Sequence, residues 1–358
     1  MCWFQVFSAG FHDKILGSKQ IFTFCGADSS VKAQKNNENI LLFDSDKNKA
    51  SFVAGGIINP IVFRRTTKSW RIDEMLPEAL GFYSDLEKMC NSQFLKSIVI
   101  RRFFSSKQEA EIWKKKVKKA AFKSYLSELT EGDFLFSEVK NEFGSGRVKN
   151  AFWINTKKFI ESTKAFFKKE NIYKTEAFEY NEIDLNKKTY KNIPFNRIIF
   201  CEGHQVKNNP FFNQLPISWT KGQLLTIRSQ SLYDKALLNR KCFVLPKEKN
   251  IFLLGATYEW NATNYKTTND AQSELLKKFN YISDENPEIV CQEAGIRPTT
   301  PDRRPFIGRH PKHKDLFIFN GLGAKGYLIA PLLSKELVEN DDLYNIFFRL
   351  RNAVEISN

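Results

Sequence analysis

The sequence predicts an α/β fold: one parallel-sheet domain assembled from discontinuous segments, with an inserted α+β domain built on an antiparallel sheet. Three observations predict it. Short apolar runs that read as buried parallel strands occur near residues 40, 200 and 317, far apart in the chain. Between the last two, extended segments follow one another from Ser218 to Trp260 without an intervening helical pattern, which suits an antiparallel sheet. Amphipathic helical patterns separate several of the other segments. A chain of 358 residues, 42% hydrophobic and 14% aromatic, has enough apolar surface for two such domains.

Taken in order, residues 1–34 carry no clear period. Trp3–Phe7 and Ile21–Cys25 are apolar scraps broken by Gly10, Gly17 and Gly26, and the segment is set apart as aberrant. From Asn39 the pattern changes: Asn39–Asp44 is an apolar run ending in an acid, followed by the small-residue stretch Lys49–Pro60. A helix is expected over Ile72–Met89, with Met75, Ala79, Phe82, Leu86 and Met89 on one face. A second helix is expected over Glu109–Leu129, with Ile112, Trp113, Val117, Ala120, Ala121 and Leu129 inward and Lys114, Lys115, Lys116, Lys118, Lys119 and Lys123 outward. An extended stretch at Val148–Ile154, a helix over Thr156–Lys169 and a strand at Tyr173–Phe178 come next. Arg197–Gly203 reads as a buried strand ending at a glycine. Ser218–Ile227 and Cys242–Trp260 read as longer strands, the latter turning at Pro246–Asn250. Leu316–Asn320 is a strand leading through a glycine loop to a helix over Tyr327–Val338.

The formal net charge is +15, from 55 Lys and Arg against 40 Asp and Glu, a field that attracts polyanions such as nucleic acid. Lysine spread this evenly is more often a solvated surface than a binding stripe. Six scattered cysteines (Cys2, Cys25, Cys90, Cys201, Cys242, Cys291) give neither a disulfide framework nor a metal-ligand spacing, so no metal site is expected and a cytoplasmic setting is. No apolar run approaches the roughly 20 residues that cross a bilayer, so no membrane partner is expected.

Two segments carry chemistry. Asn320–Pro331 holds Gly321, Gly323 and Gly326 in a G-x-G-x-x-G spacing after a strand and before a helix. Glycines there let backbone N–H groups approach an anion, and the helix start adds partial positive charge. Only about thirty residues follow, too few for a further βαβ unit, so this turn does not open an ordinary dinucleotide domain. In Ala294–Gly308, Pro298, Pro301 and Pro305 stiffen the backbone around Arg297, a guanidinium suited to grip a carboxylate.

Gly295–Gly308 followed by Asn320–Pro331 closely resembles the end of FAD-dependent oxidoreductases of the D-amino-acid oxidase and glycine oxidase superfamily. Leu42–Asp44, Ala50–Ser51, Ala54–Gly56 and Asn59–Pro60 resemble that family's ribose-binding acid and flavin-side loop, and Phe200–Gly203 and Lys221–Gln223 fall where it has a strand-end glycine and a basic-Gly-Gln turn. The resemblance runs from about residue 35 to 340. It implies a Rossmann-like FAD-binding domain (35–85, 145–215 and 292–358) and a substrate domain (86–144 and 216–291). Asp44 is then expected to bind the adenosine ribose, and Ser51, Ala54, Gly55, Gly56 and Asn59 to line the cofactor, with Gly203 at the strand end. Gly323, Ala324, Lys325, Gly326 and Tyr327 are expected at the flavin ring, Arg297 on the substrate carboxylate, and Tyr258 and Glu259 beside the pocket. The implied activity is oxidation of the C–N bond of a small amine or amino acid by hydride transfer to flavin N5. The chain departs from the family where a phosphate-binding G-x-G-x-x-G is expected, at about residues 5–20: neither Phe7–Asp13 nor Ile15–Ser18 matches it. Two other functions stay open: FAD-dependent modification of a tRNA wobble-uridine side chain, with tRNA as partner, and a flavin-free binding protein or remnant.

Overall fold

The computed structural model describes residues 19–23, 39–45, 50–130, 139–262 and 264–339. The elements that position the site begin with strands β1 (Lys19–Thr23) and β2 (Asn39–Phe43), helix α1 (Ile72–Cys90) and strands β3 (Leu95–Phe103) and β4 (Ser145–Ile154). Helix α2 (Thr156–Lys169) and strands β5 (Arg197–Phe200), β6 (Ser218–Arg228) and β7 (Glu288–Thr299) follow. Strands β8 (Phe306–Arg309) and β9 (Leu316–Asn320) lead into the last described helix, α3 (Gly326–Glu339).

One sheet has the order β8, β9, β5, β1, β2 and the short strand Tyr173–Lys174. All its pairings are parallel except β8 with β9. Strand β1 is central: Gln20 faces Ile40 of β2 on one side and Arg197 of β5 on the other. The segment set apart as aberrant thus supplies the middle of the parallel sheet. Five residues are too few to show a period, and strands inside a parallel sheet do not alternate. Residues 1–18 and 24–34, which include both stretches tested for the phosphate turn, lie outside the described residues.

The second sheet has ten strands. Its longest ladder pairs β6 with β7, from Ser218 opposite Thr299 to Arg228 opposite Glu288. Strands β3 and β4 pair from Leu95 opposite Ile154 to Phe103 opposite Ser145. This moves two boundaries: β4 and the stretch 292–299, both expected in the parallel-sheet domain, are ladder strands of the large sheet.

Helix α1 forms as expected, with Met75, Ala79, Phe82 and Leu86 buried. It lies along α3, where the Tyr83 hydroxyl donates to the Tyr327 carbonyl at 2.9 Å and Arg71 pairs with Glu336 at 2.5 Å. Helix α2 has the expected bounds, capped by the Asn155 side chain accepting from the Lys158 amide. The helix expected over Glu109–Leu129 is shorter. It spans Lys107–Val117, capped by Ser106, and gives way to a 3₁₀ turn at Ala120–Phe122 and a strand at Leu126–Thr130. Trp113 is buried as expected, but Ile112, Ala120 and Ala121 are exposed, while Phe122, Tyr125 and Leu126 enter the core. Burying these three larger side chains removes more apolar area than burying two alanines, so packing overrides the helical period.

The position of β1 makes a prediction. A chain lacking residues 1–34 leaves β2 and β5 without the strand that joins them, and is expected to lose cooperative thermal unfolding. Calorimetry checks this; an unchanged Tm would make the segment an appendage.

Candidate active site

The carboxyl ends of the parallel strands lie along one edge of their sheet. Strand order reverses direction at β1, and ligands in open α/β sheets bind outside the strand ends at such a switch point. Asp44 follows β2 directly. It is buried, accepts from the Tyr173 hydroxyl at 2.6 Å and lies 3.3 Å from the Lys164 ammonium. Burial raises its pKa while Lys164 and Tyr173 oppose the shift. Gly203, after β5, has φ +60°, and its carbonyl accepts from the Asn320 side-chain amide at 2.8 Å. Asn320 also receives the Gly321 amide at 2.7 Å, which fixes the exit from β9 into the glycine turn.

That turn meets the large sheet through one backbone bond: the Gly323 amide donates to the Pro298 carbonyl at 3.0 Å. Arg297 is therefore beside the turn although it belongs to β7. Its guanidinium lies across Gly222 of β6, where an added Cβ would stand 1.9 Å from Nη2; only glycine leaves room. The ring of Tyr258 is 4.8 Å from the guanidinium carbon, and the Thr257 carbonyl is 3.5 Å from Nη1. Arg297 is half-buried, and among the described residues no carboxylate pairs with it. Burial lowers its pKa and Tyr258 opposes this, but a guanidinium keeps its charge.

Two cavities share Arg297, Tyr258 and Ala324 as a common wall. The smaller, about 140 Å³, lies between Ala54, Gly55 and Gly56 and the start of α3 at Tyr327. The larger, about 520 Å³, has Thr220, Trp70, Trp260, Gly323 and Lys325 in its wall. Of the residues singled out from sequence, Arg297, Tyr258, Ala54, Gly55, Gly56, Gly323, Ala324, Lys325 and Tyr327 meet at these cavities. Gly326 sits between two of these wall residues, and Asp44, Ser51, Asn59, Gly203 and Glu259 are not in either wall. Glu259 pairs with the buried Lys221 at 3.0 Å and reaches neither cavity wall. The Ser51 carbonyl accepts from the Tyr327 hydroxyl at 2.9 Å. Asn59 accepts the Ile61 amide at 2.9 Å with its side chain, and its carbonyl receives the Lys325 ammonium at 3.1 Å. That ammonium also bonds the Ser69 hydroxyl, and burial pulls it down to about 8. Trp70 and Trp260 were not singled out from sequence; Lys221-Gly222-Gln223 was, but nothing in sequence shows which side chain crosses its glycine.

A family model described as FAD dependent oxidoreductase matches residues 29–340. The chain belongs to that family. Strand β1 precedes the matched range, yet holds the centre of the sheet. Glycine oxidase of Geobacillus kaustophilus is 30% identical over 129 residues, 34% of this chain and 34% of that protein. Glycine oxidase of Bacillus subtilis is 24% identical over 246 residues, 61% of this chain and 66% of the relative. The tRNA 5-methylaminomethyl-2-thiouridine biosynthesis bifunctional protein MnmC of Leptospira interrogans is 23% identical over 262 residues, 61% of this chain and 39% of the relative. The matched stretches thus cover about a third to two thirds of these relatives. Among solved structures, glycine oxidase from Geobacillus kaustophilus has a TM-score of 0.75 at 17% identity, covering 90% of this chain and 95% of that one. L-alpha-glycerophosphate oxidase from Mycoplasma pneumoniae, with FAD bound, has a TM-score of 0.69 at 16% identity, covering 92% and 94%. Both likenesses show the FAD-family fold.

Two measurements test the site. Gly222→Ala is expected to push the Arg297 guanidinium aside, weakening binding of small carboxylates roughly 30-fold or more while Tm changes little, because the clash falls on a flexible side-chain end. Titration calorimetry reads the first effect and a thermal melt the second; undiminished binding would contradict it. Glu202, just before Gly203, is buried between the Tyr180 hydroxyl at 2.6 Å and the Asn209 amide at 2.8 Å, and burial pushes its carboxyl up to about 7. The folded chain then holds this proton more tightly than the unfolded one. Stability from this group is fully present below about 4.5 and is lost as pH rises through 7. Glu202→Gln is expected to flatten that decline in denaturant unfolding at pH 5 and 8; an equal decline in the variant would assign it to other groups.

Proposed function

We propose that the chain is an FAD-dependent oxidoreductase that oxidises the C–N bond of a small amino acid or secondary amine. The parallel sheet and α3 form its cofactor half and the large sheet its substrate half. One observation carries the reading: a desolvated guanidinium, without a carboxylate partner among the described residues, faces an open cavity beside a glycine turn that starts a helix. A charge withdrawn from water without a partner is costly, so a ligand acid is the natural complement.

The residues fit the cofactor. Gly323 has φ +59°, and a Cβ built there would meet nothing within 4 Å, so the turn faces open space. Gly55, Gly56, Ala324 and Tyr327 would hold the flavin end, and Asp44 the adenosine end. FAD, when bound, supplies the hydride acceptor. The start of α3 offers N–H groups and partial positive charge where negative charge develops, without reorganising during the reaction. Arg297 binds the substrate carboxylate and so fixes the α-carbon against the turn, converting an encounter into a positioned reaction. Tyr258, stacked on the guanidinium, keeps water from it. Among the described residues neither cavity wall contains a histidine, which suits an amine that arrives neutral, its proton already lost to solvent.

The test is reconstitution with FAD followed by anaerobic addition of glycine or sarcosine. The flavin absorption is expected to bleach, and Arg297→Met to raise KM roughly 100-fold, the loss of about 3 kcal/mol from a buried charge-assisted pair. FAD uptake without bleaching by any small amino acid or secondary amine would contradict the reading. A tRNA substrate is the second reading, favoured by the net charge of +15 and by the likeness to MnmC, a tRNA 5-methylaminomethyl-2-thiouridine biosynthesis protein. Salt-sensitive tRNA binding would support it.

A further inference from the structure

We infer that Thr220 is a substrate-positioning residue, its hydroxyl donating to the same substrate carboxylate that Arg297 holds. The inference deepens the function proposed above and rests on it. Thr220 is 1% exposed, and its hydroxyl oxygen is buried without a hydrogen-bond partner among the described residues. Leaving a buried hydroxyl unpaired destabilises the fold, and valine would fill the same place in a strand without that cost. The next buried polar side chains of β6 are both satisfied. Lys221 pairs with Glu259 at 3.0 Å, and the Gln223 side chain receives the Thr268 amide at 3.0 Å and the Gln292 side-chain amide at 2.9 Å.

The register of the large sheet places that hydroxyl beside the acid site. Thr220 lies directly opposite Arg297 of β7 on one side and Trp260 on the other, so the three side chains share one face. All three stand in the wall of the 520 Å³ cavity, on the large-sheet side that the proposed function gives to the substrate. Side chains directly opposite have Cβ atoms about 5 Å apart, which puts the hydroxyl within reach of an acid on the guanidinium. The acid has room for it: a carboxylate accepts at about four positions, and a bidentate guanidinium fills two of them. Two other hydroxyls of that wall already donate within the protein, Ser69 to the Asn59 carbonyl at 3.1 Å and Thr300 to the Arg304 carbonyl at 2.7 Å. A hydroxyl donating to an anion makes a charge-assisted bond, which offsets the cost of its burial once the acid is bound.

The test is calorimetric titration of methoxyacetate, an unreactive acid without an N–H group, into the FAD-loaded protein and its Thr220→Val and Thr220→Ser variants. Thr220→Val is expected to weaken binding roughly tenfold and to raise the Tm of the acid-free protein, because the unpaired hydroxyl is gone. A residue that serves packing alone would not show both effects. Thr220→Ser keeps the hydroxyl and is expected to keep the affinity of the unaltered protein. The apparent Kd for sarcosine, from anaerobic flavin bleaching, is expected to rise in Thr220→Val by the same factor as that for methoxyacetate. A loss confined to sarcosine would assign the hydroxyl to the amine and overturn the inference, as would equal losses in the Val and Ser variants. Methoxyacetate binding that depends on Arg297 but is undiminished in Thr220→Val sinks this inference alone. Absence of methoxyacetate binding by the unaltered protein sinks it together with the carboxylate-holding role of Arg297.

Discussion

A single backbone hydrogen bond, from the Gly323 amide to the Pro298 carbonyl, sets the geometry on which everything else at the site depends. It ties the start of α3, which belongs with the parallel sheet, to β7, which belongs to the antiparallel one. The neighbours of the bonded residues are the chemically active ones: Arg297 before Pro298, and Ala324 and Lys325 after Gly323. A helix start that favours anions and a guanidinium that grips acids are thereby fixed side by side. Gly222 completes the arrangement by having no side chain where the guanidinium crosses.

The two sheets divide the labour in a way that follows from their construction. Parallel strands gather all their carboxyl ends on one edge, so Asp44, Gly203 and Asn320 share that edge without any special loop geometry. The antiparallel ladder of β6 and β7 gives one rigid face on which Thr220 and Arg297 stand opposite each other. Its rim carries Tyr258 and Trp260, which are 59% and 61% exposed, an unusual position for rings that size without a ligand or partner to cover them.

Much of this was legible from residues alone, because the informative stretches are local. A strand, a glycine turn and a helix follow one another within Leu316–Val338, and Arg297 sits among prolines that restrict it. The bounds of α2 were readable from sequence. Long-range pairing was not readable. Strand β1 is five residues long and was hidden in an aperiodic segment, the sheet to which β4 belongs was not readable from its pattern, and the helix at Lys107 was carried twelve residues past its real end because the lysine stripe kept a helical rhythm. The same holds in the site. Nor did sequence show that the Asn59 side chain accepts the Ile61 amide and that Glu259 pairs with Lys221, or that Gly222 and Trp70 each lie against an arginine side chain.

The central claim is that the Arg297 guanidinium and the first turn of α3 jointly receive an acid and a reduced cofactor. A crystal structure of the FAD-loaded protein with methoxyacetate tests it most directly. The account predicts the carboxylate on the Arg297 guanidinium and the flavin ring against Gly323–Gly326. A flavin seated away from that turn, or an acid bound elsewhere with Arg297 turned toward another protein group, would contradict it.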